Sequence, residues 1–289
     1  MIDAYLVPSV DGLAYGLLLF TVAAGLTLTF GVGGVLNLAH GTVYATGAYT
    51  AAALGDGSWA GLGLAVMVAT VAGAGGGALL SVALRPLNGR GHLAQALLTF
   101  GLSLAGGGTL IAIFGADDRR PVVPAVLDTA VEVGGHRYPL YRLLFILLAV
   151  VLAALGWLTV RRTRTGARVR AMADDADMLA CTGTNPRAVL AGVLTAGGAL
   201  AGFAGAVGAP IIGPGPRTAE TVLLLSLVIV VLGGLGSIAG AFLAAIGVGQ
   251  LQSLGVVLIP SWSPYLLLLA MAGVLLVRGR RAAFTTVRS

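Results

Sequence analysis

The stretch "GVGGVLNLAHG", residues 31–41, carries four glycines, an asparagine and a histidine between two apolar runs, 12–33 and 41–54. Helix-breaking residues in that position decide how the whole chain is read. If the flanking runs cross a membrane, this is a break whose freed backbone groups must be satisfied by protein or by a wet cavity. The rest of the chain supports the premise. It has 289 residues, 57% of them hydrophobic and 10% charged, and a mean hydropathy of +0.97. Soluble domains carry about 25% charged residues. The composition is that of a membrane protein.

Working outward, nine apolar segments can be marked, at 12–33, 41–54, 60–84, 93–114, 142–160, 188–209, 221–233, 238–258 and 264–277. About 20 apolar residues span a hydrocarbon core. Most segments reach that length, and the second and seventh are short enough to be re-entrant or broken. The expected fold is an all-α, polytopic transmembrane bundle of eight or nine segments, built as a single transmembrane domain over 1–289. The N-terminus has no basic region of the kind that opens a signal peptide, so the first run is expected to stay as a span.

All 17 basic residues are arginine. Without lysine there is no Walker A loop, so ATP is not bound by that route. If all nine segments cross, Arg85, Arg90, Arg161, Arg162, Arg164, Arg168, Arg170, Arg187, Arg278, Arg280, Arg281 and Arg288 share one side. Arg119, Arg120, Arg137, Arg142 and Arg217 share the other. The positive-inside rule makes the first set cytoplasmic. It places the 161–187 loop and the 278–289 tail inside and the 115–141 loop outside. In so apolar a chain the basic pI sets orientation and does not point to nucleic acid.

Chemistry of an enzymatic kind is not legible. Cys181 is the single cysteine, and there is no His–Cys metal spacing, carboxylate pair or G-x-S-x-G elbow. No catalytic residue, metal or cofactor is expected. His92 and His136 fall in loops and read as solvated. No segment interior holds a confident Asp, Glu or Arg; the polar candidates are Asn37, Thr99, Ser103, Thr109, Ser226, Gln250 and Gln252, with His40 at a segment end. An ion-coupled secondary transporter, the alternative from a different class, usually keeps ionisable residues inside its spans.

A weak internal repeat surrounds the break. "GGVLNLAHGTVYATG" (33–47) set against "GGLGSIAGAFLAAIG" (233–247) aligns Gly33 with Gly233, Gly34 with Gly234, and Asn37 with Ser237. Glycine-interrupted segments at matching positions in two halves point to a substrate path. Gly33, Gly34, Asn37, His40, Gly41, Gly233, Gly234 and Ser237 are therefore the candidate path residues. Two readings of Asn37 and His40 stand: they face a cavity, or they cap helix ends in a satisfied turn.

The longest cytoplasmic loop reads "RRTRTGARVRAMADDADMLACTGTNPR" (161–187). A helix after Gly166 puts Val169, Met172, Ala176 and Leu179 on one face and Arg170, Asp174 and Asp177 on the other. Gly183 suits its C-terminal stop. Asn185 then caps the next span, with Pro186 at its first position. Three acids in four residues sit poorly on an anionic leaflet. Docking to a partner protein is the better use of such a helix.

These blocks carry a resemblance. "GLTLTFGVGGVLNLAHGTVYATGAYTAAAL" (25–54), "GARVRAMADDADMLACTGTN" (166–185) and "LGGLGSIAGAFLAAIGVG" (232–249) resemble, in order, the signature, coupling loop and second glycine-rich stretch of LivH-type permeases. Those are subunits of branched-chain amino-acid ABC importers. The "PGPR" at 214–217 has no counterpart in that pattern. The resemblance implies a multi-pass protein of a bacterial cell membrane. Its implied partners are a second Liv-type permease, two cytoplasmic ATPase subunits and an extracytoplasmic substrate-binding protein. It also implies that Gly166, Arg170, Met172, Asp174, Leu179 and Gly183 belong to an ATPase-coupling loop. Permeases for urea and short amides share the architecture, and no residue here separates them.

Overall fold

The computed structural model describes residues 3–87, 91–133, 136–262, 265–274 and 276. Arg90 and the 278–289 tail lie outside the described residues. The chain is a helical bundle: α1 (Asp3–Gly33), α2 (His40–Leu54), α3 (Trp59–Ala83), α4 (His92–Phe114), α5 (Leu140–Arg162), α6 (Arg164–Asp174), α7 (Ala176–Cys181), α8 (Pro186–Gly208), α9 (Thr218–Gly233), α10 (Ile238–Leu258) and α11 (Tyr265–Val274). Each expected apolar segment contains a helix. Six of them, α1, α3, α4, α5, α8 and α10, are long and apolar enough to cross a membrane. The helices α2, α9 and α11 are shorter.

Side-chain distribution fits an apolar solvent. Leu144, Leu147, Val151, Leu155 and Leu158 project outward from α5, and Leu93, Leu97, Phe100 and Leu104 from α4. In water such faces would be aggregation-prone patches; against lipid they cost nothing. The centre is α1, which packs on α8, α9, α10 and α5. Phe20 of α1 meets Phe242 of α10 edge to face, with ring centroids 5.1 Å apart.

With lipid as apolar as leucine, helices associate through close packing of small residues. The α8 stripe Gly197, Gly198, Ala201, Gly202, Ala204 and Gly205 is buried. On one side Gly198 and Gly202 lie against the α3 backbone at Gly73 and Ala69. On the other, Gly202 and Gly205 lie against α2 at Gly47 and Tyr44. Helix α8 is thus the axle that α2 and α3 grip.

The 115–141 loop contains a strand pair. Strands β1 (Ala130–Val133) and β2 (His136–Pro139) pair antiparallel, with Glu132 opposite Arg137. Opposite charges in direct register favour that pairing. Arg119 closes the C-terminus of α4: its Nη2 donates to Phe114 O at 2.7 Å, complementing the negative helix end.

Candidate translocation break and coupling face

Helix α1 ends at Gly33, and Gly34 turns the chain with φ +60°. The chain then doubles back. His40 Nε2 donates to the carbonyl of Val22 at 2.9 Å, eleven residues before Gly33, or about 16 Å along the α1 axis at the usual helical rise. Helix α2 therefore begins alongside the Val22 turn of α1, and residues 34–39 form an irregular segment within the bundle. Its backbone groups need partners, and α4 supplies them. The Leu38 N–H donates to Thr99 Oγ1 at 3.2 Å, and Thr99 Oγ1 donates to Leu36 O at 3.0 Å. His92 Nδ1 donates to Gly34 O at 3.0 Å. His92 is exposed, as the sequence suggested, but it is the first residue of α4 rather than a loop residue, and it clamps the break. His136 sits in β2, and its side chain is outside the described residues.

Asn37 and His40 both turn inward. Asn37 is buried, and its Oδ1 accepts from Ala39 N at 3.1 Å. His40 is buried beside Gly25, whose missing side chain leaves room for the imidazole; a Cβ there would lie 3.0 Å from His40 Cε1. Gly33 faces Leu190 of α8, and Gly41 lies on the Ala219 carbonyl of α9. A β-branched residue at Gly34 would meet both the left-handed backbone and His92 Cε1, 3.0 Å from a built Cβ. Gly34→Val is expected to cost about 1–3 kcal/mol, read as a lower melting temperature in detergent. Gly34→Asn should be milder, because asparagine tolerates that conformation.

The matching break is tighter. Helix α9 ends at Gly233, Gly234 takes φ +94°, and Ser237 caps α10 by accepting from Gly240 N at 3.0 Å. Gly233 touches the backbone of Gly240 and Ala241, so α9 and α10 form a close hairpin. Both glycine pairs end helices. The first break is a six-residue irregular segment, 34–39, and the second a shorter turn, 234–237.

The 161–187 loop holds two helices where one was expected. Asp175 ends α6 in extended geometry, and its Oδ1 accepts from the N–H groups of Asp177 and Met178, both at 2.9 Å. That side chain competes with the helical backbone and caps α7 instead. Gly166 is buried because a Cβ there would overlap the Thr159 and Val160 carbonyls that end α5. Gly183 has φ +80°, and Asn185 caps α8 with Pro186 at its first turn, as the sequence indicates. Met172 and Leu179 are buried against the chain's own bundle. Arg170 donates to the Val160 carbonyl. Asp174 and Asp177 are exposed, as is Met178, at 66%. The apolar stripe thus holds the loop to its own bundle, and the opposite, mixed face is the one presented outward.

One polar cluster escaped the sequence reading. Helix α1 starts nine residues before the first apolar segment, which places Asp11 inside it. Arg142 of α5 pairs with Asp11, and Tyr138 Oη donates to the same carboxylate oxygen at 2.7 Å. Burial foremost, with Asp11 second, pushes the Tyr138 phenol far above its ordinary range, so it stays a donor. Both charges sit at the edges of apolar runs, the one signal that could have paired them. Among the described residues no group of His, Cys, Asp and Glu could hold a metal.

A multi-pass helical protein with broken helices and a capped loop between spans is the architecture of a membrane permease. Comparison narrows the class. Residues 9–277 match the family described as branched-chain amino acid transport system / permease component, and the chain belongs to it. It is a family of transport components rather than enzymes. The chain is 29% identical to the high-affinity branched-chain amino acid transport system permease protein BraD of Pseudomonas aeruginosa over 271 residues, covering 87% of this chain and 86% of BraD. It is 27% identical to the corresponding LivH protein of Salmonella typhimurium, covering 84% and 83%. It is 31% identical to LivM of Escherichia coli, covering 82% of this chain and 61% of LivM. No solved structure matches the chain.

Proposed function

We propose that this chain is the membrane-spanning permease subunit of an ATP-binding-cassette importer for branched-chain amino acids in the bacterial inner membrane. The family match over 9–277 carries the reading. Its partners are a second Liv-type permease, two cytoplasmic ATPases and an extracytoplasmic binding protein. Eight or nine membrane segments, with α2 and α9 the short ones, form the bundle, and the likeness of 33–47 to 233–247 marks a weak repeat. Gly33, Gly34, Asn37, His40, Gly41, Gly233, Gly234 and Ser237 shape the path. Asn37 and His40 do so by fixing the break, since their side chains are engaged within the fold. Vesicles holding the assembled complex should take up labelled leucine only with ATP and the binding protein. Uptake of urea in place of leucine would overturn the substrate assignment.

Orientation follows the arginine bias, with Arg164 cytoplasmic and Arg119 outside. In a Cys181-free background, a cysteine at 164 should react only when the membrane is permeabilised. Labelling of intact cells there would invert the arrangement.

The 161–187 loop couples ATPase motion to the bundle. Gly166 and Gly183 set its shape, Met172, Leu179 and Arg170 anchor it, and Asp174 lies on the outward face with Asp177 and Met178. A well-packed apolar contact contributes enough to interfaces that Met178→Asp should weaken co-purification of the ATPases about tenfold. The amount of folded permease should not change, because Met178 touches little of its own chain. Met172→Asp and Leu179→Asp should instead lower the folded amount itself. Full ATPase recovery with Met178→Asp would place the docking surface elsewhere.

A further inference from the structure

At the end of the bundle opposite α6 and α7 lies a pocket of about 320 Å³. It is lined by Asp11 and Tyr15 of α1, Arg142 of α5, Ile211 in the turn after α8, and Gln252 and Ser253 of α10. Its volume falls at the lower edge of small-molecule sites, about 300–1,000 Å³. It is also the place where a bundle otherwise lined with apolar and small residues gathers one cation and one anion. The Asp11–Arg142 pair is the only salt bridge among the described residues, and each side chain remains about one-third exposed (31% and 33%). The pair therefore borders the pocket and is not sealed beneath it. Tyr15 Oη and the Gln252 amide have no hydrogen-bond partner among the described residues and stand ready to make one. Ala14 and Ile211 supply apolar wall.

We propose that this pocket recognises the α-ammonium and α-carboxylate of a free amino acid, with the carboxylate taken by Arg142 and the ammonium by Asp11. The charge arithmetic favours a zwitterion. A ligand with only a carboxylate would draw Arg142 away and leave Asp11 with the Tyr138 hydroxyl but no cation, and a ligand with only an ammonium would leave Arg142 without its anion. Leaving one charge of such a pair uncompensated is costly. A zwitterion replaces both halves at once, because its two charges are held on a single carbon. Guanidinium and carboxylate also pair by charge-assisted, directional bonds. Urea, carrying no charge, gains nothing from the pair. Tyr15 and Gln252 complete the polar shell, and the side chain faces Ala14 and Ile211. The proposal deepens the importer reading and rests on it for the expectation that amino acids reach this end of the bundle. A phosphatidylethanolamine headgroup shares the paired charges and is the competing source.

The test uses the full-length chain with Cys181→Ser and Ile211→Cys, held in nanodiscs of phosphatidylglycerol alone, so that no zwitterionic headgroup is present. The rate of thiol modification at position 211 reads occupancy. Leucine should slow it several-fold, while leucinamide, 4-methylpentanoate and urea should not. Arg142→Gln and Asp11→Asn should each remove the protection. Tyr15→Phe, which leaves the α1–α5 ion pair in place, should weaken protection without changing folded yield. That keeps the result separate from any loss of structure. Absence of protection by leucine, or equal protection by leucinamide, would overturn the site. So would protection that survives both charge substitutions, or that comes only when phosphatidylethanolamine is added. If the assembled complex still imports leucine in those cases, the importer reading stands and only the pocket falls. If the complex imports no amino acid, the importer reading has failed by a separate measurement.

Discussion

Gly202→Val is expected to abolish the accumulation of folded protein in the membrane, while Gly247→Val should leave it unchanged. The two positions look alike in sequence, each a glycine in an apolar helix. Their surroundings differ. A Cβ on Gly202 would overlap the Ala69 carbonyl and lie 3.1 Å from Gly73 Cα, and the Gly202 carbonyl in turn lies on Gly47 of α2. All of these are backbone atoms that no rotamer change can move aside. Overpacking typically costs about 1–3 kcal/mol and more where relief is blocked. Here valine would push α8 away from both α2 and α3. Gly247 is exposed with nothing within 4 Å, so valine there faces lipid. Size-exclusion profiles and thermal stability of the detergent-solubilised proteins would check the pair. Equal behaviour of the two variants would contradict the grip of α8 on its neighbours.

Thr99→Val should be nearly as damaging despite its matched shape. Its hydroxyl accepts from Leu38 N, and its one hydrogen is shared between Leu36 O and Ala96 O, each 3.0 Å away, so it serves the irregular stretch between α1 and α2. Thr99 is fully buried, and water has no ready route to replace it. Each backbone group left without a partner costs about 1–3 kcal/mol, and more where lipid surrounds the protein. The expected result is a lower melting temperature and a sharp loss of transport by the surviving protein, because the break would no longer be held. Thr99→Ser should rescue both. Thr109→Val is the control: that hydroxyl bonds only Ala105 O of its own helix, on an exposed face. Indistinguishable effects of the two valine substitutions would show that the irregular segment 34–39 does not depend on α4.

Much of this was legible because the bilayer makes few demands and makes them everywhere. Long apolar runs must become helices, and the chain's runs did. Local chemistry was equally readable. Asn185 and Pro186 start α8, and Gly34, Gly183 and Gly234 end helices in a conformation that glycine adopts freely. The candidate break was visible too, since glycines and an asparagine cluster where one apolar run gives way to the next.

Other features depended on distance in space. No periodicity could say that Asp175 would cap a second helix rather than continue the first, because both uses draw on the same side chain. The apolar stripe of Met172 and Leu179 reads the same whether it faces a partner or its own bundle; the contacts with that bundle decide it. Asn37 and His40 could face water or cap a turn, and which holds depends on Val22 and Gly25 lying alongside. Thr99 is just a threonine in an apolar run until α4 is set against residues 36–38. Asp11 and Arg142, 131 positions apart, read as ordinary charges at the ends of spans. Sequence by itself determined which residues prefer lipid, the glycine stops and the Asn185-Pro186 start that bound several helices, and the family. The tertiary structure decided which polar groups find each other, because a hydrogen bond or ion pair is set by atoms a few ångströms apart, whatever their separation along the chain.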